Sequence, residues 1–364
     1  MKNIVIVLAL IVGVMSHALA SDGQSGTYSV SDLGSLSGGN AVGRQVDNIN
    51  RRVAGSSGRA HGSNTRAFSW TAEHGMTDLG VLEGGDRSEA FAVNDLGDVV
   101  GDSNNAKSLR AIIWSRTGGM RELGTLPGDN SSHASSINNR GQIVGYSSGP
   151  NGLRAVLWTK DLAIQSLGTL PDGDYSEARA INDSGQVIGV SSSPSGKRAF
   201  LWTSEEGMID LGVLLGDTSS EAMRISKNGL VVGSSHALGI TRAFLWSKKT
   251  GMQDIGGLPN AKYTDALDVN ASGMVVGASQ TPLGGRAFIW SSSGGMQDVN
   301  NMLPADAGIL LVAALGINER GQIVGIGSPH QGRTNDSKMH TDDENHAGLI
   351  HSYLLTPRSS PNKE

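Results

Sequence analysis

The six tryptophans fall at positions 70, 114, 158, 202, 246 and 290, each 44 residues after the one before. A spacing without drift means one structural unit copied along the chain, and such a period constrains the fold more than any local propensity. Aligned on tryptophan, the unit has four recurring pieces. In one copy they read Ser-Glu-Ala-Arg-Ala-Ile-Asn (176–182), Gly-Gln-Val-Ile-Gly (185–189), Arg-Ala-Phe-Leu-Trp-Thr (198–203) and Gly-Met-Ile-Asp-Leu-Gly (207–212). Short pieces rich in β-branched or aromatic residues and bounded by Gly, Asn, Ser or Pro predict strands joined by hairpins. No stretch carries a helical period.

Four strands in 44 residues is the size of one β-propeller blade. An open solenoid also has a fixed period, so closure needs its own argument. The residue that opens the first turn recurs seven times, as Asn50, Asn94, Asn138, Asn182, Ser226, Asn270 and Asn318. The third and fourth strands appear together only six times. An orphan third strand, Ser352-Tyr353-Leu354-Leu355-Thr356, lies near the C-terminus, and an orphan fourth strand, Ser31-Asp32-Leu33-Gly34, near the N-terminus. The two complete one further blade if the chain ends meet, which also removes exposed sheet edges. The expectation is an all-β fold: one seven-bladed β-propeller domain of four-stranded blades over residues 21–357, its ring closed by pairing of the N- and C-terminal strands. The tryptophans then pack between neighbouring blades, with Leu355 in the seventh slot.

Residues 1–20 read as a signal peptide, with Lys2, an apolar run from Ile4 to Val14 and a small-residue cleavage site at Ala18-Leu19-Ala20. The run is too short to span a bilayer, which takes about 20 residues. The expected mature chain is exported, periplasmic or extracellular, without a membrane span, and monomeric; residues 358–364 read as a disordered tail. With no cysteine there is no disulfide, thiolate metal site or cysteine nucleophile. A net charge of −5 without a basic stripe argues against nucleic acid as a partner.

The motif Arg-Ala-Phe-Leu-Trp, with Gly-Met-x-Asp-Leu-Gly downstream and Ile-Asn-x-x-Gly-Gln-Ile-Val-Gly as at 137–145 and 317–325, resembles the HAF family of probable extracellular repeat proteins. The resemblance covers essentially the whole mature chain and implies export and a repeat fold. It brings no established activity and no catalytic residues. The His-Ala-Phe triplet is matched by arginine in six units (Arg66, Arg110, Arg154, Arg198, Arg242 and Arg286), and only His351 keeps the histidine.

The recurring Asn-x-x-Gly suits a tight type I turn. The six arginines are expected to tie blade to blade through hydrogen bonds or ion pairs. The carboxylates of the fourth strand, Asp78, Glu122, Asp210, Asp254 and Asp298, are expected to be solvated and to guard the outer edge. The hairpin turns are uniform, whereas the loops on the opposite face differ from unit to unit, and function concentrates in variable loops on a rigid scaffold. That face carries Asp86, Asp129, Asp172, Asp174 and Asp217. Just inside it one repeat position reads Gln45, Glu89, His133, Glu177, Glu221, Asp265 and Ala313. Such carboxylates at one end of a central channel could hold a hard cation such as calcium, although Asp172-Gly-Asp174-Tyr-Ser176 lacks the glycine and terminal glutamate of a calcium loop. The stretch 329–350 enlarges one loop with His330, His340 and His346 beside four acidic residues, a composition open to metal binding or to a flexible excursion. No zinc-protease pair or phosphate loop is present, and the Gly-x-Ser-x-Gly string at 145–149 has no segment of helical period after it to make a hydrolase elbow.

Two functions follow as expectations. The first is a noncatalytic binding scaffold for a polysaccharide or an envelope or extracellular protein, engaged through the variable loop face. The second is a polysaccharide-acting lyase or hydrolase, with Glu89, His133, Glu177 or Glu221 at the channel mouth.

Overall fold

A computed structural model describes residues 27–58, 64–329 and 349–358. The expected signal peptide (1–20), nearly all of the 329–350 stretch and the expected disordered tail beyond 358 lie outside the described residues.

The described chain is all-β, with 28 strands and a single 3-10 turn, Val299–Met302. The strands pair antiparallel in fours. The pattern is set by Ala41–Val46, Val53–Ser57, Arg66–Thr71 and Gly75–Asp78, which form one meander in chain order. Equivalent meanders cover 88–122, 131–168, 176–210, 219–254 and 263–298; the last two are joined by one parallel bridge, Thr241↔Tyr263. The final group is Ile309–Ile317, Ile323–Pro329 and His351–Pro357, with Tyr28–Asp32 as its outer strand. That strand runs antiparallel from Tyr28↔Pro357 to Asp32↔Tyr353. The first strand of each sheet lies against the first strand of the next, and Ala41–Val46 also lies against Ile309–Ile317.

Burial follows strand position. The second and third strands are apolar and closed on both faces, as in Val187–Ser193 and Gly196–Thr203. Trp70, Trp114, Trp158, Trp202 and Trp246 are buried, and Trp290 is partly so. Each sits in a cluster shared by two sheets: Trp158 packs with Val100 and Ile113 of the preceding sheet, and Trp70 packs with Leu33, Val324 and Leu354 from the two chain ends. Leu355 faces Ile323 at the register where Trp202 faces Val187.

The turn asparagines do more than cap their own backbone. Asn138 Oδ1 accepts from the amides of Arg140 and Gln142, closing the turn. Its Nδ2 donates to the carbonyl of Asn182 in the next sheet at 3.0 Å. The same link runs from Asn94 to Asn138, from Asn182 to Ser226, from Asn270 to Asn318, and from Asn318 to Asp47.

Asp47 corrects the sequence reading. Val46 pairs with Val53 as Val93 pairs with Val99, so Asp47, and not Asn50, stands in the asparagine slot. By the same register Gln45 aligns with Ala92, and Val42 takes the position of Glu89. The 44-residue count failed here because this sheet has a longer turn and a longer loop between its second and third strands. Asp47 Oδ1 accepts from the amides of Asn50 and Arg52. Its Oδ2 is buried with no hydrogen-bond partner, where an asparagine would carry its donor. Burial first, and then the charge of Asp95, raise its pKa above the ordinary 3.8. The folded state therefore holds the Asp47 proton more tightly than the unfolded chain. The associated stability is full below 3.8 and lost as pH rises through the raised native value. Asp47→Asn restores a donor, so we expect it to stabilise the protein at pH 7 by about 1 kcal/mol. Paired urea melts at pH 4 and pH 7 should show a smaller pH dependence than in the parent.

Candidate functional site

The first strands of successive sheets lie against one another. Each carries a bulge, for example between Ala178 and Ala180. The structure brings together on these strands four of the residues singled out from sequence. Glu89 is held between Arg44 (3.2 Å) and Arg87 (2.5 Å). Glu221 meets Arg179 at 2.7 Å and Lys197 at 3.6 Å, while Glu177 lies 3.8 Å from the same Arg179. His133 Nδ1 lies 2.6 Å from Asp102 Oδ2, with both side chains almost wholly buried. Its ring stacks on Tyr146 at 4.7 Å between centroids and tilts against Phe91 at the same distance. Arg44 lies over the Phe91 ring, 4.7 Å from its centroid.

Asp265 stands farther round, its carboxylate taking the hydroxyl of Ser234 at 2.5 Å. Burial raises the pKa of Asp265 against that bond. Asp102 is likewise raised by burial, with His133 opposing. Burial pushes Asp268 up to about 6 although Arg224 and two backbone amides favour its charge. Burial also lowers the guanidinium pKa of Arg44 and Arg224. Tyr175, above Glu177, is pushed up to about 12 by burial and then by the Glu177 and Glu221 charges.

The loop aspartates have a different role. Asp86 accepts from Asn104 Nδ2, Asp129 from Ser147 Oγ and Asp174 from Ser192 Oγ, each fastening its crossing loop to the second strand of the same sheet. Asp217 is turned inward, 1% exposed, and takes Arg242 at 2.7 Å. Asp172 occupies a left-handed turn position with φ 57°. Among the described residues, no group of three or more His, Asp or Glu side chains converges to hold a metal ion.

Two features read separately in the sequence prove to be one. Arg66, Arg110, Arg198, Arg242 and Arg286 pair with the fourth-strand carboxylates of their own sheets, Asp78, Glu122, Asp210, Asp254 and Asp298, at 3.0–3.8 Å. The edge carboxylates are thus ion-paired. The expected tie between sheets also exists: Arg154 and Arg198 donate to the carbonyls of Asp174 and Thr218 in the following loop. At the chain ends His351 takes the arginine position and meets Asp32 at 3.1 Å.

Sequence reasoning missed Arg44, Asp102, Tyr146 and Arg179. Their signal was irregularity: one second-strand position reads Asp102, Tyr146, Val190, Ser234 and Ala278, unlike the repeated positions around it.

The overall arrangement is that of β-propeller proteins. The chain is similar to streptogramin B lyase, with 13% identity over 90% of this chain and 98% of that one and a TM-score of 0.56. It is similar to the virginiamycin B lyase from Staphylococcus aureus at 12% identity, over 90% and 99% of the two chains, with a TM-score of 0.56. The β-propeller domain of the trilobed protease from Pyrococcus furiosus, which has an open velcro topology, matches at 12% identity over 74% and 84%, with a TM-score of 0.51. At these identities the likeness is one of fold. No protein-family model and no curated protein matches the sequence. No helix of the described residues is long and apolar enough to cross a membrane.

Proposed function

We propose that this chain is an exported, noncatalytic repeat protein of the HAF kind, built as seven blades closed into a ring, which binds a polysaccharide or an envelope protein at its loop-side channel mouth. Closure is supported by the Tyr28–Asp32 pairing with His351–Pro357 and by the bond from Asn318 to Asp47. The observation that carries the binding reading is the array of Glu89, Glu177 and Glu221, each near arginine, beside the ring of Tyr146. Carboxylates fixed by guanidinium groups act as oriented acceptors for ligand hydroxyls, and flat aromatic faces suit sugar rings. The loop aspartates then shape the rim that surrounds this array.

Isothermal titration of the protein with neutral and acidic oligosaccharides, with and without calcium, tests the reading. Glu177 is the most open member of the array, 29% exposed. Glu177→Gln should weaken binding about tenfold, the usual scale for loss of a charged hydrogen bond. No heat with any member of the panel, followed by no protein captured from an envelope extract, would remove the proposal.

A second reading, an enzyme, is favoured by one observation, the His133–Asp102 pair. A carboxylate at 2.6 Å orients an imidazole as it does in general-base catalysis. Two of the similar folds belong to lyases. Turnover of a bound ligand that disappears in His133→Ala while binding persists would select this reading.

A further inference from the structure

The repeat supplies an internal comparison on the opposite, turn side of the molecule. There a glycine of positive φ closes the first turn of each sheet after the first, and the side chains nearest it come from its own sheet or the one before. Gly141 lies against Lys160, Gly185 against Gln142, Gly229 against Gln186, Gly273 against Leu230, and Gly321 against Met274 and Pro357. Gly97 differs: two arginines meet over it, with Arg52 Nε 3.4 Å and Arg116 Cδ 3.5 Å from the position a Cβ would take. They border an open cleft that also includes Thr71, His74 and Asp95.

The arginines of this cleft are incompletely used. Arg52 Nη1 donates to Ser69 Oγ at 2.7 Å, while its Nε is buried with no hydrogen-bond partner. Among the described residues neither guanidinium is ion-paired. The neighbouring carboxylates make no hydrogen bond to either guanidinium, although the Asp47 charge acts on Arg52. Asp95 accepts from Asn48 and Asn139, Asp98 from the Arg116 amide, and Asp47 Oδ1 from the amides of Asn50 and Arg52. His74 contacts Glu73 at 3.8 Å on the exposed rim. An oxyanion between the two side chains satisfies forked donors that the fold leaves unused.

We propose that this cleft is an oxyanion-binding site, in which Arg52 and Arg116 hold the carboxylate, sulfate or phosphate group of a ligand and Thr71 and His74 close its rim. It lies on the face away from the channel-mouth array and stands independently of it.

Titration calorimetry of the protein at low ionic strength with sulfate, phosphate and acetate in turn tests the site and separates the three sources of the charge. Saturable binding of at least one anion is expected, and Arg116→Gln should weaken it about tenfold or more. Arg116 makes no side-chain bond that the fold needs, so its melting temperature without anion should match the parent. Lys160→Gln, one sheet further on at the equivalent position, should bind as the parent does. Absence of saturable binding to all three anions, an Arg116→Gln variant that binds normally, or an equal loss in Lys160→Gln would each overturn the proposal.

Discussion

A Gly145→Ala variant is expected to lose about 3–5 kcal/mol of stability, enough to leave much of the protein unfolded at growth temperature. Gly145 lies in the second strand of its sheet and faces Ala134 beside the bulge of the first strand. The bulge carries the His133 carbonyl inward over the glycine, so an added Cβ would lie well under 3.0 Å from that oxygen, a separation real side chains do not show. Backbone oxygen cannot turn aside as a flexible side chain can. The first strand must move, which disrupts the ladder and displaces His133 from Asp102. Gly101, Gly189, Gly233 and Gly277 face the equivalent carbonyls, so the requirement belongs to the repeat. Gly128→Ala is the contrasting case: its φ of 87° strains an alanine, but nothing lies within 4 Å. That change should cost only about 1–2 kcal/mol. Thermal melts followed by circular dichroism should separate the two variants clearly, with Gly145→Ala on the order of 10 °C below the parent. Equal melting temperatures would mean that the bulge does not hold the first strand as described.

Removing residues 27–34 should be as damaging. Tyr28 and Leu33 are buried, and each contributes about 2 kcal/mol of apolar burial. The deletion also removes the ladder to His351–Pro357, the Leu33 amide bond to Ser352 O and the Asp32–His351 pair. Tyr353 and Leu355 are left on an open edge, a surface that invites aggregation. The expected outcome is a loss on the order of 5 kcal/mol with insoluble expression. In an open solenoid, trimming one terminal strand would affect only its neighbour and the rest would stay folded. A soluble truncated protein with a parent-like melt would therefore point to unjoined ends.

The strand pattern was legible because it was written seven times. Leu355 stands where the tryptophans stand, and the Asp32 side chain meets His351 as Asp78 meets Arg66. Where the copies agree, the physics is local: turns, bulges and buried strands. What escaped was the hydrogen bond from one turn to the next and the pairing of side chains along the first strands. The donation from Asn138 Nδ2 to the next sheet leaves no mark in sequence beyond the asparagine that the turn already explains. Asp47 was misplaced because counting by 44 residues ignores a lengthened turn, and only the pairing of Val46 with Val53 restores the register. The channel-mouth carboxylates were found from their position, but their arginine partners were not. Arg44 and Arg179 occupy a bulge slot that reads Phe91, Ser135 and Met223 in other sheets, and a slot that varies this much offers no period to detect.

The closed ring is the claim on which the channel-mouth reading rests, and the absence of native cysteine makes it directly measurable. Ser29 and Thr356 are paired across the two chain ends and lie at the surface, at a spacing typical of bridgeable cross-strand pairs. A Ser29→Cys/Thr356→Cys protein, oxidised under dilute conditions, should form an intramolecular disulfide as completely as a Ser69→Cys/Thr77→Cys control within one sheet. Non-reducing electrophoresis and intact mass read the result. Free thiols or intermolecular dimers at the terminal pair, with the control fully bridged, would contradict the closed ring.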